Sequence, residues 1–176
     1  MKEGSGAEQP LRWFVARTRG SQELSLRAKL SSLGVNYFIP TKEEYRVRRG
    51  HRTKVEVPLI PNMIFVQSTK EVACALANGR GLPLYYVVDR FTGSMLVVPD
   101  RQMENFIQVV SLAPDSICID SVPLVPGTRV RIAEGELAGI EGEVLELPTA
   151  TYVVVSVGRL LCAKLKLAKE SLEPIV

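Results

Sequence analysis

Between Lys42 and Lys54 the chain sets six basic residues against two acidic ones, a surplus of +4 within 13 positions. Charge of that density suits the neutralisation of phosphates. Aromatic residues are few between these arginines, which favours phosphate contact over base stacking. The only histidine, His51, stands inside the run Val47-Arg48-Arg49-Gly50-His51-Arg52-Thr53, with no acidic neighbour in sequence to orient it as a base. Cys74, Cys118 and Cys162 follow one another at intervals of 44 residues, which is neither a metal-ligand nor a disulfide-framework spacing, and they read as buried thiols. There is no paired metal-ligand motif and no phosphate-binding glycine loop. The expectation is a binding protein that is not an enzyme, with no catalytic residue, no metal and no cofactor.

The elements that must hold this basic run begin with a short apolar strand at 12–18, followed by Gly20 and Ser21 and a helix from Gln22 to Leu33. In that helix Leu26, Leu30 and Leu33 form one stripe, and Gly34 supplies the C-cap. Extended chain follows from Val35 to Val57, broken at Pro40 and folded at the basic tip. PLIPNMIFV (58–66) is a proline-punctuated apolar strand, after which Thr69 caps a helix whose Val72 and Leu76 share a face and which ends at Asn78-Gly79. Segments 84–88 and 95–98 pair around a turn at 89–93. Pro99 and Asp100 open a helix with Met103, Phe106, Ile107 and Val110 inward. This order predicts an α+β layer, an antiparallel sheet flanked by helices, over 10–113.

Residues 114–122 lose periodicity and are the expected linker. From 123 to 176 the pattern alternates with period two. Val130 and Ile132 face one way and Arg129 and Arg131 the other; Leu161, Ala163, Leu165 and Leu167 point inward while Cys162, Lys164 and Lys166 point outward. Gly158-Arg159 reads as a two-residue hairpin loop. Closing five short strands into a small barrel removes exposed edges. Thr151 to Val157 is so rich in β-branched residues that a strand is expected there. Glu141, Glu143 and Glu146 on the outer face are placed to pair with Lys164 and Lys166.

Residues 1–113 carry 16 Lys/Arg against 10 Asp/Glu (+6), and residues 114–176 carry 6 against 9 (−3). Only the first part suits a polyanion. No apolar run approaches the roughly 20 residues of a membrane span, and MKEGSGAEQP has no export signal, so a cytoplasmic location is expected.

The run PGTRVRIAEGELAGIEGEV (126–144) places Gly135 in a turn and Gly139 and Gly142 inside the next strand, where a missing Cβ permits bending and close contact. It resembles the KOW motif of SH3-like barrels. Together with Trp13-Phe14-Val15 and PLIPNMIFV, it makes the chain after Gln9 similar to the NusG family of transcription elongation factors. Ile60, Asn62 and Met63 depart from the Phe, Gly and Tyr usual there. Asn62 and the basic tip resemble the operon-specific RfaH-like and UpxY-like antiterminators.

The resemblance implies a NusG-type N-terminal domain at 10–113 that binds the clamp helices of the large RNA polymerase subunit through Ile60, Met63 and Phe65. It implies contact with DNA in the elongation complex, for which Arg19, Lys29, Arg48, Arg49, Arg52 and Arg80 are the candidates. It implies a KOW barrel at 123–176, carrying Gly135, Gly139 and Gly142, that recruits a ribosomal protein or the termination factor Rho. The polar second-helix stretch of RfaH-like factors has Cys74, Ala75 and Leu76 in its place. The expected protein is a monomeric antitermination factor with no membrane partner. The alternative is a ribosome-associated or RNA-binding KOW protein, which the acidic barrel disfavours.

Overall fold

The computed structural model describes residues 9–121 and 127–175. In chain order the elements are β1 (Arg12–Thr18), α1 (Leu26–Ser32), β2 (Asn36–Phe38), β3 (Thr41–Arg48), β4 (His51–Pro58), β5 (Met63–Ser68), α2 (Lys70–Cys74), β6 (Leu84–Tyr86), β7 (Val97–Val98), α3 (Asp100–Leu112), β8 (Ile117–Asp120), β9 (Arg129–Ile132), β10 (Glu141–Leu147), β11 (Ala150–Val157), β12 (Leu161–Leu167) and β13 (Leu172–Pro174). This is the expected α+β class. The chain divides into two compact units, Met1–Phe38 with Asn62–Val97, and Ile39–Pro61 with Val98–Val176.

The first unit is built on an antiparallel sheet in the order β2-β5-β1-β6, with β7 also on β1. β1 runs against β5 from Arg12↔Ser68 to Arg17↔Met63. Four consecutive residues of β1 (Trp13 to Ala16) and four of β5 (Met63 to Val66) are buried, so both faces of these strands are covered. Each large side chain so buried contributes about 1.5–3 kcal/mol. α1 buries Leu26 and Leu30, as its spacing predicts. α2 starts where Thr69 Oγ1 accepts the Val72 N–H (3.3 Å) and continues as a π-helical turn over Ala75–Gly79. Its inward residues are Ala73 and Leu76, while Val72 is exposed, because i and i+3 share the inner face here.

In the second unit β3 and β4 form a separate two-stranded hairpin, and a six-stranded sheet runs β13-β9-β10-β11-β12-β8. The segment expected to be an irregular linker contains β8, paired with β12 from Ile117↔Leu165 to Asp120↔Cys162. Ile117 and Ile119 give it the apolar alternation of a strand, and the pairing covers the open edge of β12. The sheet therefore has six strands where five were expected, and among the described residues it ends at β13 and β8. The chain around the expected barrel start, 122–126, lies outside the described residues, as do 1–8.

Three further readings are corrected by the packing. The β11–β12 connection is one residue longer than expected, since Val157 pairs with Leu161, and Gly158 takes the positive φ (57°) that opens the turn. Cys162 is buried, but Cys74 and Cys118 are exposed, one on a helix flank and one on the edge strand. The acidic residues of β10 do not reach Lys164 or Lys166, because β11 lies between β10 and β12. Glu146 pairs with Lys169 (2.7 Å), and Lys164 pairs with Asp120 (2.5 Å).

α3 belongs to this second unit rather than closing the first. Its N-terminal half reaches the barrel sheet through polar side chains. Gln102 Oε1 accepts the Gly158 N–H (2.7 Å), Asn105 Nδ2 donates to the Glu141 carbonyl (3.1 Å), and Arg101 meets the Glu141 carboxylate (3.1 Å). Inward on the helix are Met103, Phe106, Val109 and Val110, and Ile107 is only half-buried.

Candidate functional site

The β3–β4 hairpin turns at Arg49-Gly50, both with positive φ (51° and 79°), between the paired residues Arg48 and His51. Two left-handed residues in a two-residue loop match the right-handed twist of the flanking strands. Along the hairpin the charges separate. Toward its base, Glu44 is held by Lys42 (2.8 Å), Glu43 by Lys54, and Glu56 accepts from Thr41 Oγ1 (2.6 Å). The ammonium of Lys42 keeps the Glu44 carboxyl below its usual range, and the Glu43 carboxylate raises the Lys54 ammonium above its own. Toward the tip, Arg48, Arg49 and Arg52 are exposed and have no carboxylate partner among the described residues. The three expected tip arginines are thus brought together as a positive end.

One feature of this tip escaped the sequence reading. Tyr45 is 60% exposed and Val47 is 74% exposed, and the Arg52 guanidinium lies over the Tyr45 ring, 4.1 Å from its centroid. The signal was present as alternation, since Tyr45 and Val47 are two apart and fall on one face of β3.

The other expected cationic residues lie in the first unit. Arg19 follows β1 and its N–H donates to the Pro83 carbonyl (3.1 Å). It lines a cavity of about 600 Å³ with Cys74, Asn78, Gly81 and Tyr86. Arg80 is exposed next to Gly81, and Lys29 stands on the outer face of α1. Tyr86 presents a buried hydroxyl with no partner among the described residues, and burial pushes its pKa well above the usual tyrosine value.

The apolar segment is placed differently from an open docking patch. Phe65 is wholly buried in the sheet beside Phe38, ring centroids 6.3 Å apart, and Met63 is buried in the same strand. Ile60, in the turn after β4, is buried but nearest to the surface at 9% exposure. The turn at Asn62 is locked within the first unit. Asn62 has φ 58°, its carbonyl accepts the Thr18 N–H (3.0 Å), its Oδ1 accepts the Ser21 N–H (2.8 Å), and its own N–H donates to Glu23 Oε1. Glu23 is 1% exposed, and its Oε2 has no partner among the described residues.

In the segment 126–144, which resembles the KOW motif, Gly135 and Gly139 take positive φ (86° and 88°), and the Gly139 N–H donates to the Ile132 carbonyl (2.8 Å). Gly139 therefore belongs to the turn before β10 rather than to the strand, whereas Gly142 lies inside β10 against Val153 and Val154. Glu141 beside it gathers Arg131 (2.9 Å), Arg101 (3.1 Å) and Arg129 (3.8 Å), with its side chain 18% exposed. Hydrogen bonds from Arg131 and then Arg101 hold its carboxyl below the ordinary glutamate range. Among the described residues no group of His, Cys, Asp and Glu is arranged to hold a metal ion, and no helix is long and apolar enough to cross a membrane.

A solved structure described as "Domain interaction in Thermotoga maritima NusG" aligns with 94% of this chain and 98% of its own, at 19% sequence identity and a TM-score of 0.47. The family model for NusG, transcription termination factor nusG, matches residues 11–107, from the residue before β1 into α3. Members of that family are non-enzymatic transcription elongation and termination factors that bind RNA polymerase. With more than half of its 176 residues matched in one continuous stretch, this chain belongs to the NusG family.

Proposed function

We propose that this chain is an operon-specific elongation and antitermination factor of the RfaH-like or UpxY-like kind, working in the cytoplasm as a monomer. Its N-terminal domain, taken as 10–113, binds the clamp helices of the large RNA polymerase subunit. The contact runs through the 58–66 segment, with Ile60, Met63 and Phe65 as the binding residues. The hairpin arginines Arg48, Arg49 and Arg52 face DNA in the elongation complex, with Arg19, Lys29 and Arg80 as further contacts. The barrel at 123–176, with its glycines at 135, 139 and 142, recruits a ribosomal protein or Rho.

The observation that carries this reading is the charge separation along the hairpin, which leaves three exposed arginines at the tip with no carboxylate partner among the described residues. A surface that neutralises its acids at the base and none of its arginines at the tip is suited to phosphates. The specialised role is supported by Asn62, since asparagine tolerates the left-handed backbone that glycine fills elsewhere and adds the Oδ1 contact to Ser21. The test is co-purification of the tagged chain with purified core RNA polymerase and with an assembled elongation complex. Binding to the complex, weakened when Arg48 and Arg49 are replaced by Gln, is expected; absence of binding to both overturns the proposal. Tight, salt-dependent binding to structured RNA without polymerase would point instead to an RNA-binding KOW protein.

A further inference from the structure

We propose that the Tyr45 face of the β3–β4 hairpin is a stacking platform for an unpaired nucleic acid strand. The proposal rests on the reading of the hairpin as a nucleic-acid contact and adds to it an element that senses whether a base is paired. The strand register defines the platform. Tyr45 pairs with Lys54 and Val47 with Arg52, so these four side chains share one face of the ribbon. Tyr45 and Val47 are more exposed there than folding rewards, because the hairpin sheet has only two strands and their ring and methyl groups remain in water. Isolated exposed apolar residues are ordinary; an aromatic and a β-branched residue side by side, with Arg52 over the ring and the Arg48-Arg49 turn at the end of the ribbon, are what an unpaired base and its phosphates need.

Arg52 contributes twice. Its guanidinium lies over the phenol ring, 4.1 Å from the centroid, which holds a planar cation against the aromatic ring before any ligand arrives. It also carries charge to the spot where a base would lie. From Tyr45 to Arg48 the strand advances three residues, about 10 Å at about 3.3 Å each. That places the Arg48-Arg49 turn within reach of phosphates one or two nucleotides from the stacked base. Base faces are hidden inside a duplex and open in a single strand, so the platform selects unpaired DNA or RNA over paired. The chemistry recognised is shared by the two, and the sugar is left to the rest of the surface.

The test uses the full chain and a short labelled oligonucleotide offered as single-stranded DNA, single-stranded RNA and duplex DNA, followed by fluorescence anisotropy over a salt series. Single strands of at least one kind are expected to bind more tightly than duplex, and the tighter of DNA and RNA names the source. Tyr45→Ala is expected to weaken single-strand binding by roughly 5- to 100-fold with little change in salt slope, whereas Tyr45→Phe retains the affinity. Arg48→Gln with Arg49→Gln is expected to weaken single strand and duplex alike and to flatten the salt slope. A 2-aminopurine base in the oligonucleotide is expected to be quenched by the wild-type chain and not by Tyr45→Ala. Wild-type affinity in Tyr45→Ala, or duplex binding equal to single-strand binding, overturns the platform. If affinity then still falls with the two arginine substitutions, the phosphate reading of the hairpin stands alone; if it does not, both readings fall.

Discussion

Asn62 occupies a backbone conformation that most residues avoid, and three hydrogen bonds hold it there. Asn62→Gly keeps the left-handed φ at little cost and loses only the Oδ1 contact to Ser21, so a loss of about 1 kcal/mol or less is expected. Asn62→Ala adds the left-handed penalty of about 1–3 kcal/mol, and urea denaturation should rank the two in that order. Glu141 makes a different prediction. Its folded pKa is depressed by Arg131 and Arg101, so it stabilises the fold above the unfolded glutamate pKa of about 4.3 and ceases to do so as pH falls through the lower folded value. Glu141→Gln should therefore lower the urea midpoint at neutral pH, and the gap to wild type should narrow as pH falls below the unfolded glutamate pKa and vanish below the lower folded one. Neither site was fully legible in the sequence. The oddity of Asn62 was visible, but its partners Thr18, Ser21 and Glu23 come from 39 to 44 positions away. The Glu141 cluster joins α3 to β9 and β10, a meeting that local periodicity does not encode.

Elements were read best where burial is one-sided. The alternation of β9 and β12 put Val130, Ile132, Leu161, Ala163 and Leu165 in the core, and the i, i+4 rhythm of α1 did the same for Leu26 and Leu30. On β12, however, Cys162, expected to point outward, is buried as well, and Leu167, expected inward, is half-buried. The β-branched run in β11 is the strand its composition predicts. Misreadings came from short or doubly covered elements. β8 has four residues, too short a run for its alternation to stand out from a linker, and α2 bends into a π turn that changes which side chain faces inward. Gly142 was singled out for close contact, and its geometry sharpens that into a measurable effect. A Cβ there would stand 2.6 Å from Val153 Cγ1 and 2.7 Å from the Val154 carbonyl oxygen. Gly142→Ala should cost about 1–3 kcal/mol or more through overpacking, measured by urea denaturation. Gly79→Ala is the control, since its Cβ would meet open space and its φ is not positive.

For the chain as a whole, hydrophobic period and turn chemistry, which are local signals, predict the α+β class, while the resemblance to the family is carried by the motifs at 13–15, 58–66 and 126–144. The grouping of elements into compact units is not local, and it is where the expected boundary near 113 and the observed division part. Each unit is discontinuous: the chain passes from one to the other at 38/39, 61/62 and 97/98. During synthesis this has an order. The hairpin of the second unit leaves the ribosome before the first unit has received β5, which its central strand β1 needs as a partner, and long before the barrel sheet exists. Until then the hairpin has only its own local contacts to close on. Its tight turn at Arg49-Gly50 and its paired charges suit that interval. A protease that nicks the turn at Arg49 would likewise free no complete unit, because both strands of the hairpin remain tethered through β2 and β5 to the same sheet.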